Sequence, residues 1–168
     1  MRPDRKKHYI YYGSFCLAIF IASIFLSMRG TADVSLETLS ALQSQEAEKI
    51  SPGTVFLDED KKIDALDHVI LHDSQKEKTT IWIWDFADHD GDYVQVLADG
   101  HPLSDPFMIK NTARKLSVPS EAVIQIKGIK DGNGGEGITY AIKFGANDVS
   151  YLNSIDEGKH STFELKRK

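Results

Sequence analysis

Four aspartates fall within the stretch Asp85–Tyr93, whose sequence is DFADHDGDY. They are Asp85, Asp88, Asp90 and Asp92, and the last two flank Gly91. Carboxylate oxygens are the ligands that hard divalent cations prefer, and calcium accepts about six to eight oxygens in flexible geometry. Because several negative charges confined to one loop repel one another, a bound cation would stabilise them. The stretch therefore predicts a calcium site with Asp85, Asp90 and Asp92 as candidate ligands.

The spacing of these aspartates does not match the calcium loop of an EF-hand. That loop needs glycine at its sixth position and glutamate at its twelfth. Whether the loop is started at Asp85 or at Asp88, neither position carries the required residue type. A second interpretation therefore stays open, in which the aspartates cap backbone amides of a polar turn and Gly91 supplies a positive φ.

A glycine-rich stretch, DGNGGEG, runs from Asp131 to Gly137. Three of its glycines have the spacing of the dinucleotide-binding fingerprint, but that fingerprint opens a helix. The residues that follow, ITYAIKF, are typical of a strand, so no nucleotide site is expected. We predict a hairpin loop here, with Asp131 as a fourth candidate calcium ligand and with Asn133 and Glu136 as further oxygen donors.

The remaining polar residues do not form a catalytic set. His68 and His72 are four residues apart, which suits a zinc pair, but no third ligand lies near them in the sequence. We therefore expect them on the solvated face of a strand. No serine or threonine has triad partners, Cys16 lies in an apolar run, and the clustered carboxylates offer no evident cleft for glycosidase-type chemistry. The sequence favours a protein that is not an enzyme.

The N-terminal residues predict a membrane segment. Residues 1–8 form a basic n-region, and residues 9–28 contain no formally charged side chain, which is about the length that a membrane-spanning helix needs. The basic cluster would remain in the cytoplasm and the rest of the chain would be exported. One interpretation is an uncleaved signal anchor in a bacterial inner membrane. The other is a signal peptide cleaved after Ala32, which would release a secreted protein.

The charge of the exported part excludes one class of partner. The chain has a net charge of -5 and its first 32 residues a net charge of +4, which leaves -9 for the rest. A nucleic-acid-binding protein needs a basic face, so no nucleic-acid partner is expected. An acidic body is compatible with cations or with basic protein partners.

After the membrane segment, the sequence predicts a juxtamembrane helix and linker over residues 33–66 and a β-domain over residues 67–168. A helix over residues 32–50 is indicated by leucines near helical spacing and ends at Ser51-Pro52-Gly53. It is a candidate stalk or a packing element on the domain. From His68 onward, about eight short β-branched and aromatic runs alternate with turn residues. We expect an antiparallel β-sandwich, Ig-like or jelly-roll-like, with a hairpin at Asp99-Gly100.

The segment Ile81–Gly100, followed by Ile126–Ile142, resembles a group of small bacterial exported modules. These modules carry a Trp-Asp strand end, an Asp-Gly-Asp turn that leads into an alternating strand, and a later glycine-rich stretch before a strand. The residues that carry the resemblance are Trp84, Asp85, Asp90, Gly91, Asp92, Val94, Gly100, Asp131 and Gly137. The resemblance implies a β-sandwich in the bacterial envelope and no particular chemistry.

Three functions follow as expectations. The first is a membrane-anchored, exported β-sandwich that acts as a binding or assembly module, with calcium as its candidate stabilising ion and an envelope protein as its candidate partner. The second is a purely structural subunit of an envelope or secretion assembly, with no metal. The third and weakest is a small hydrolase that uses the aspartate loop.

Overall fold

Short runs of β-branched and aromatic residues form the strands of the protein. The structure is a computed structural model that describes residues 36–57, 62–87, 90–132, 137–147 and 149–168, all within the compact unit Leu36–Lys168. In chain order the elements are α1 (Leu36–Ser44), β1 (Glu46–Glu48), β2 (His68–His72), β3 (Lys78–Trp84), β4 (Tyr93–Ala98), β5 (His101–Pro102), β6 (Phe107–Met108), β7 (Arg114–Pro119), β8 (Ala122–Lys130), β9 (Ile138–Phe144), β10 (Val149–Ile155) and β11 (His160–Arg167).

The strands form two sheets that pack as a sandwich. The five-stranded sheet has the order β1–β10–β9–β3–β7, and the six-stranded sheet has the order β2–β11–β8–β4–β5, with β6 also paired to β4. Alternate residues of β4 and β8, such as Val96 and Ile126, are fully buried. They meet Ile83, Ile142 and other residues of the five-stranded sheet in the main core. Alternation therefore gives the six-stranded sheet one buried face and one solvated face.

The five-stranded sheet is buried on its second face as well. Trp84, Phe86 and Leu152 form a second apolar cluster there. Ala41 of α1 and Ala47 of β1 are part of that cluster and are 4% and 5% exposed. The segment that contains α1 is therefore packed against the β-domain. Of the two alternatives for this helix, the structure shows the packing element.

The helix ends earlier than the sequence predicted. Its described part ends at Ser44, Gln45 has a φ of 56°, and Glu46–Glu48 is a strand paired with β10. The left-handed conformation of Gln45 ends the helix, and Ala47 can then reach the second cluster. The sequence did not indicate this strand, because only one of its three residues is apolar.

Two predictions about the sheets are wrong in detail. About eight strands were expected, but the described residues form eleven. The missed strand β10 has the sequence VSYLNSI, in which six of the seven residues are buried, so it shows no alternation of apolar and polar residues. The sheets are not wholly antiparallel, since β2 pairs with β11 in parallel. A parallel pair needs a long connection, and most of the domain lies between these two strands.

The predicted hairpin at Asp99-Gly100 is confirmed. Ala98 pairs with His101, and the two turn residues have φ values of 49° and 78°. Positive φ at both central positions is the type I′ geometry that Asp-Gly favours.

The predicted membrane segment, residues 9–28, lies outside the described residues, as do residues 1–8 and the alternative cleavage site after Ala32. Among the described residues, no helix combines the length and the apolar character needed to cross a membrane.

Candidate metal centre

The acidic stretch and the glycine-rich stretch both cross from one sheet to the other at the same end of the sandwich. The acidic stretch leads from β3 to β4, and the glycine-rich stretch leads from β8 to β9. Trp84 pairs with Ala141 in one sheet, and Tyr93 pairs with Lys130 in the other. The prediction of a hairpin at Asp131–Gly137 is therefore wrong, because β8 and β9 belong to different sheets. The two connections are neighbours instead.

Three of the predicted ligands come together in this region. One carboxylate oxygen from each of Asp85, Asp90 and Asp92 lies within 4.8 Å of the other two. Asp85 and Asp92 are fully buried, with 0% exposure, and Asp90 is half-buried. Among the described residues this is the one group of three or more metal-ligating side chains that converge in this way. Asp88 and His89 lie outside the described residues.

The side chain of Asp85 is held by its own loop and by β9. Its Oδ1 accepts a hydrogen bond from Ala87 N at 2.9 Å and another from Thr139 Oγ1 at 3.3 Å. The first of these is the local Asx arrangement that the turn interpretation predicted. Backbone contacts hold the residue as well, since Asp85 N donates to Lys110 O at 2.9 Å and Asn111 Nδ2 donates to Asp85 O at 3.2 Å.

The carboxylate of Asp92 joins the two connections. Its Oδ1 accepts a hydrogen bond from Gly132 N at 2.9 Å, and its Oδ2 accepts one from Thr139 N at 3.2 Å. Both donors are backbone amides of the segment that enters β9. A carboxylate that accepts backbone amides is stabilised in its charged form. Asp92 therefore places a buried carboxylate where the two connections meet.

The backbone of the acidic loop passes directly beside Gly132 and leaves no room there for a side chain. A Cβ at this position would lie 2.5 Å from Asp90 O and 2.7 Å from the carbonyl carbon of Gly91. Those distances are far below a normal van der Waals contact, so a larger residue requires the loops to separate. Gly132 thus permits a close approach of the two backbones.

Asp131, the fourth predicted ligand, is placed differently from the other three. Its Oδ2 accepts a hydrogen bond from Gly137 N at 3.2 Å. It lies next to Gly132 in the chain, but the group of three converging carboxylates does not include it. Asn133 and Glu136, the other predicted oxygen donors, lie outside the described residues.

Thr139 and Asn111 belong to the site although the sequence analysis did not identify them. Thr139 contacts both buried aspartates through its hydroxyl and its amide. Asn111 Nδ2 donates to the carbonyl oxygens of Asp85 and Ala87 at 3.2 and 2.7 Å. A threonine at a strand start and an asparagine in a loop carry no distinctive pattern, so only the three-dimensional structure identifies them.

The two strand histidines are not on a solvated face, and that prediction is wrong. The outward residues of β2 are Val69 and Leu71, whereas His72 is 2% exposed. Its Nδ1 accepts from Ser74 N at 3.2 Å, so its Nε2 carries the proton and donates to Ser120 O at 2.7 Å. His72 is therefore a hydrogen-bonded core residue.

His68 is packed among aromatic rings. It stacks on Phe163 with ring centroids 5.5 Å apart and lies 4.6 Å from the Tyr151 ring. Burial lowers the pKa of His68, and the nearby carboxylates of Glu46 and Asp67 only partly oppose this shift. Among the described residues, neither histidine belongs to a convergent group of three ligands. His72 contributes hydrogen bonds and His68 contributes ring packing to the domain.

No protein-family model, no curated protein and no solved structure matches the chain.

Proposed function

We propose that the protein is a membrane-anchored, exported β-sandwich that acts as a binding or assembly module and whose two inter-sheet connections are held together by a divalent cation. The observation that carries the cation is the convergence of Asp85, Asp90 and Asp92 within 4.8 Å. Residues 9–28, as the predicted signal anchor, carry the membrane attachment. The exported position and the envelope partner rest on that segment and on the acidic charge of the body.

The burial of these converging carboxylates costs free energy unless a positive charge lies among them. Asp85 and Asp92 have no exposed surface, and like charges at this separation repel strongly where water is excluded. Backbone amides stabilise the carboxylates of Asp85 and Asp92 separately but leave the repulsion among the three in place. A divalent cation would attract all three carboxylates at once.

The ligand type favours calcium over a transition metal. All three converging groups are carboxylates, which are hard ligands, and no histidine or cysteine among the described residues joins them. Calcium tolerates irregular oxygen geometry and takes its remaining ligands from backbone carbonyls and water. Magnesium requires nearly ideal octahedral geometry and fits a loop of irregular backbone less well.

The metal-free structural subunit is the second candidate, and a specific observation favours it. Asp85 Oδ1 accepts the amide of Ala87, and both oxygens of Asp92 accept backbone amides. These bonds are the ones expected of a self-capped turn. At this site, the two candidates differ in whether calcium stabilises the fold through Asp85, Asp90 and Asp92.

Asp90→Asn separates the two candidates because it abolishes a calcium-dependent rise in stability only if a cation binds at this site. The measurement is the thermal midpoint of the full chain in a non-ionic detergent, with calcium, with magnesium and with a chelator. If calcium binds, a free calcium concentration of about 100 times the Kd stabilises the wild type by about 2.7 kcal/mol. This raises the midpoint by roughly 10 °C. Asp90→Asn then loses most of this rise. If no cation binds, calcium leaves the midpoints of both proteins unchanged.

Asp105→Asn is the matched control. Asp105 is an exposed aspartate in the connection between β5 and β6, so its substitution removes the same charge elsewhere. It should leave the calcium-dependent rise intact. A wild-type midpoint that does not move at millimolar calcium would reject the cation and leave the metal-free subunit as the better account.

A further inference from the structure

Strand β2 is an open edge of the six-stranded sheet. Within the described part of the chain, its one strand partner is β11. The carbonyl of His72 accepts a hydrogen bond from Lys168 N at 3.0 Å, so the backbone groups of His72 face β11. Because backbone groups alternate in direction along a strand, those of Val69 and Leu71 face the open edge. No strand of the described residues pairs with them.

The side chains along this edge form a regular row. Asp67, Val69, Leu71 and Asp73 are every second residue, and all four are exposed. Val69 and Leu71 are 57% and 52% exposed, the two largest values among the exposed large apolar residues of the described chain. The residues between them, such as Ile70, point into the core. The row thus presents two aliphatic side chains between two acids.

The negative charges of Asp67 and Asp73 are only weakly neutralised by the groups next to them. Asp67 Oδ1 accepts a hydrogen bond from Thr162 N at 2.7 Å, a neutral partner. Asp73 Oδ2 lies 3.8 Å from Lys168 Nζ, with side-chain exposures of 79% and 56%. An ion pair at that distance and exposure contributes little to stability. Each end of the edge strand therefore presents a negative charge to whatever pairs with it.

This charge pattern opposes pairing with a second copy. An antiparallel copy that matched the aliphatic side chains of Val69 and Leu71 would place Asp67 opposite Asp73 of that copy. Like charges directly opposite one another destabilise a sheet. Charged residues on edge strands are a common protection against edge-to-edge association. The same two charges would attract a strand with basic residues at the matching positions.

We propose that β2 is a strand-addition site for an extended segment of a partner protein, in which two aliphatic residues alternate between two basic ones. The backbone of Val69 and Leu71 binds the backbone of the segment, and Asp67 and Asp73 select its basic ends. The site uses none of Asp85, Asp90 and Asp92, and the inference does not depend on a cation there.

A pair of labelled peptides tests this site. KTVTVTK carries basic residues and valines at the spacing of the row, and ETVTVTE differs from it only in the charge of its ends. Both are titrated with the full chain in a non-ionic detergent, and binding is followed by fluorescence anisotropy. We expect KTVTVTK to bind about tenfold more tightly, since each end exchanges an attractive pair for a repulsive one. Equal affinities would overturn the proposal.

Variants of the row identify the surface that binds. Asp67→Asn with Asp73→Asn should remove the difference between the peptides, and an asparagine at 67 can still accept the hydrogen bond from Thr162. Asp73→Asn alone, at an exposed position, should remove about half of it if the double variant does not fold. Asp105→Asn should leave the difference unchanged. A wild type that dimerises through β2 without peptide, measured by sedimentation, would assign the edge to a second copy and reject the proposal.

Discussion

Asp92 Oδ1 accepts a hydrogen bond from Gly132 N at 2.9 Å, and this contact joins two connections that lie 40 residues apart in the chain. It is possible because Gly132 lies directly against the backbone of Asp90 and Gly91. The close approach brings Thr139, the second residue of β9, to the same carboxylate. The end of the sandwich that holds the aspartates is therefore organised by a glycine on one connection and a carboxylate on the other.

Gly132→Ala should destabilise the domain by about 2 to 3 kcal/mol, because the new methyl group would overlap the backbone of the acidic loop. Gly158→Ala is the control. Gly158 has a φ of 78° and nothing within 4 Å of the added Cβ, so it carries a conformational cost of about 1 kcal/mol and no steric cost. Urea unfolding measures both. Equal losses of unfolding free energy in the two variants would show that the methyl group added at position 132 has no steric cost.

Asp92→Asn should destabilise the domain by about 1 to 2 kcal/mol even in the presence of a chelator. The carboxylate accepts two backbone amides, whereas an asparagine offers one acceptor and would turn its own NH₂ toward the second donor. Thermal unfolding in excess chelator measures this loss without any contribution from a cation. Asp105→Asn, at an exposed position in the connection between β5 and β6, should show no such loss under the same conditions. If the two variants behaved alike, the assigned hydrogen bonds would be wrong.

Ala41→Arg should destabilise the domain by about 3 kcal/mol, because Ala41 is 4% exposed in the second apolar cluster and has no room for a charged side chain. Ser40→Arg, one residue earlier in the same helix, places the same side chain at an exposed position and should change stability little. A helix that acted as a stalk would tolerate both substitutions, so similar unfolding midpoints would contradict the packing described above.

Much of the fold could be predicted from local patterns, and the exceptions have physical causes. Strand β4 alternates strictly because one face is buried, so its sequence identifies it. Strand β10 is buried on both faces and contains Ser150, Asn153 and Ser154, which removes every local signal. The parallel partner of β2 is β11, which lies about 90 residues later in the sequence, and no short-range pattern predicts such a pairing.

The candidate site, like the fold, was predictable from the sequence only in part. Clustering in the sequence was enough to predict that Asp85, Asp90 and Asp92 would lie together, because they share one short connection. Their burial and their contacts with Thr139 and Gly132 depend on a second connection that is distant in the sequence. The glycine spacing did not indicate the close approach of the two backbones, and it was misleading about a hairpin, since spacing alone does not say in which sheet the next strand lies.

The stability of the domain should fall as the pH decreases below about 6.5, and His68 is one cause. Burial lowers the pKa of His68 below its ordinary value of 6.5 in the folded protein. The unfolded chain therefore binds a proton at a higher pH than the folded one. Between the lowered folded pKa and 6.5, the unfolded state holds more protons, so stability rises with pH through that window and is lost as the pH falls through it.

His68→Phe tests this cause because it keeps an aromatic ring against Phe163 and Tyr151 while removing the titration. The free energy of unfolding is measured by urea denaturation from pH 5 to pH 8. The variant should show a weaker pH dependence than the wild type. His160→Phe is the matched control, since His160 is exposed at the start of β11 and its loss should leave the dependence unchanged. A His68→Phe variant with the full wild-type dependence would assign the effect to other groups.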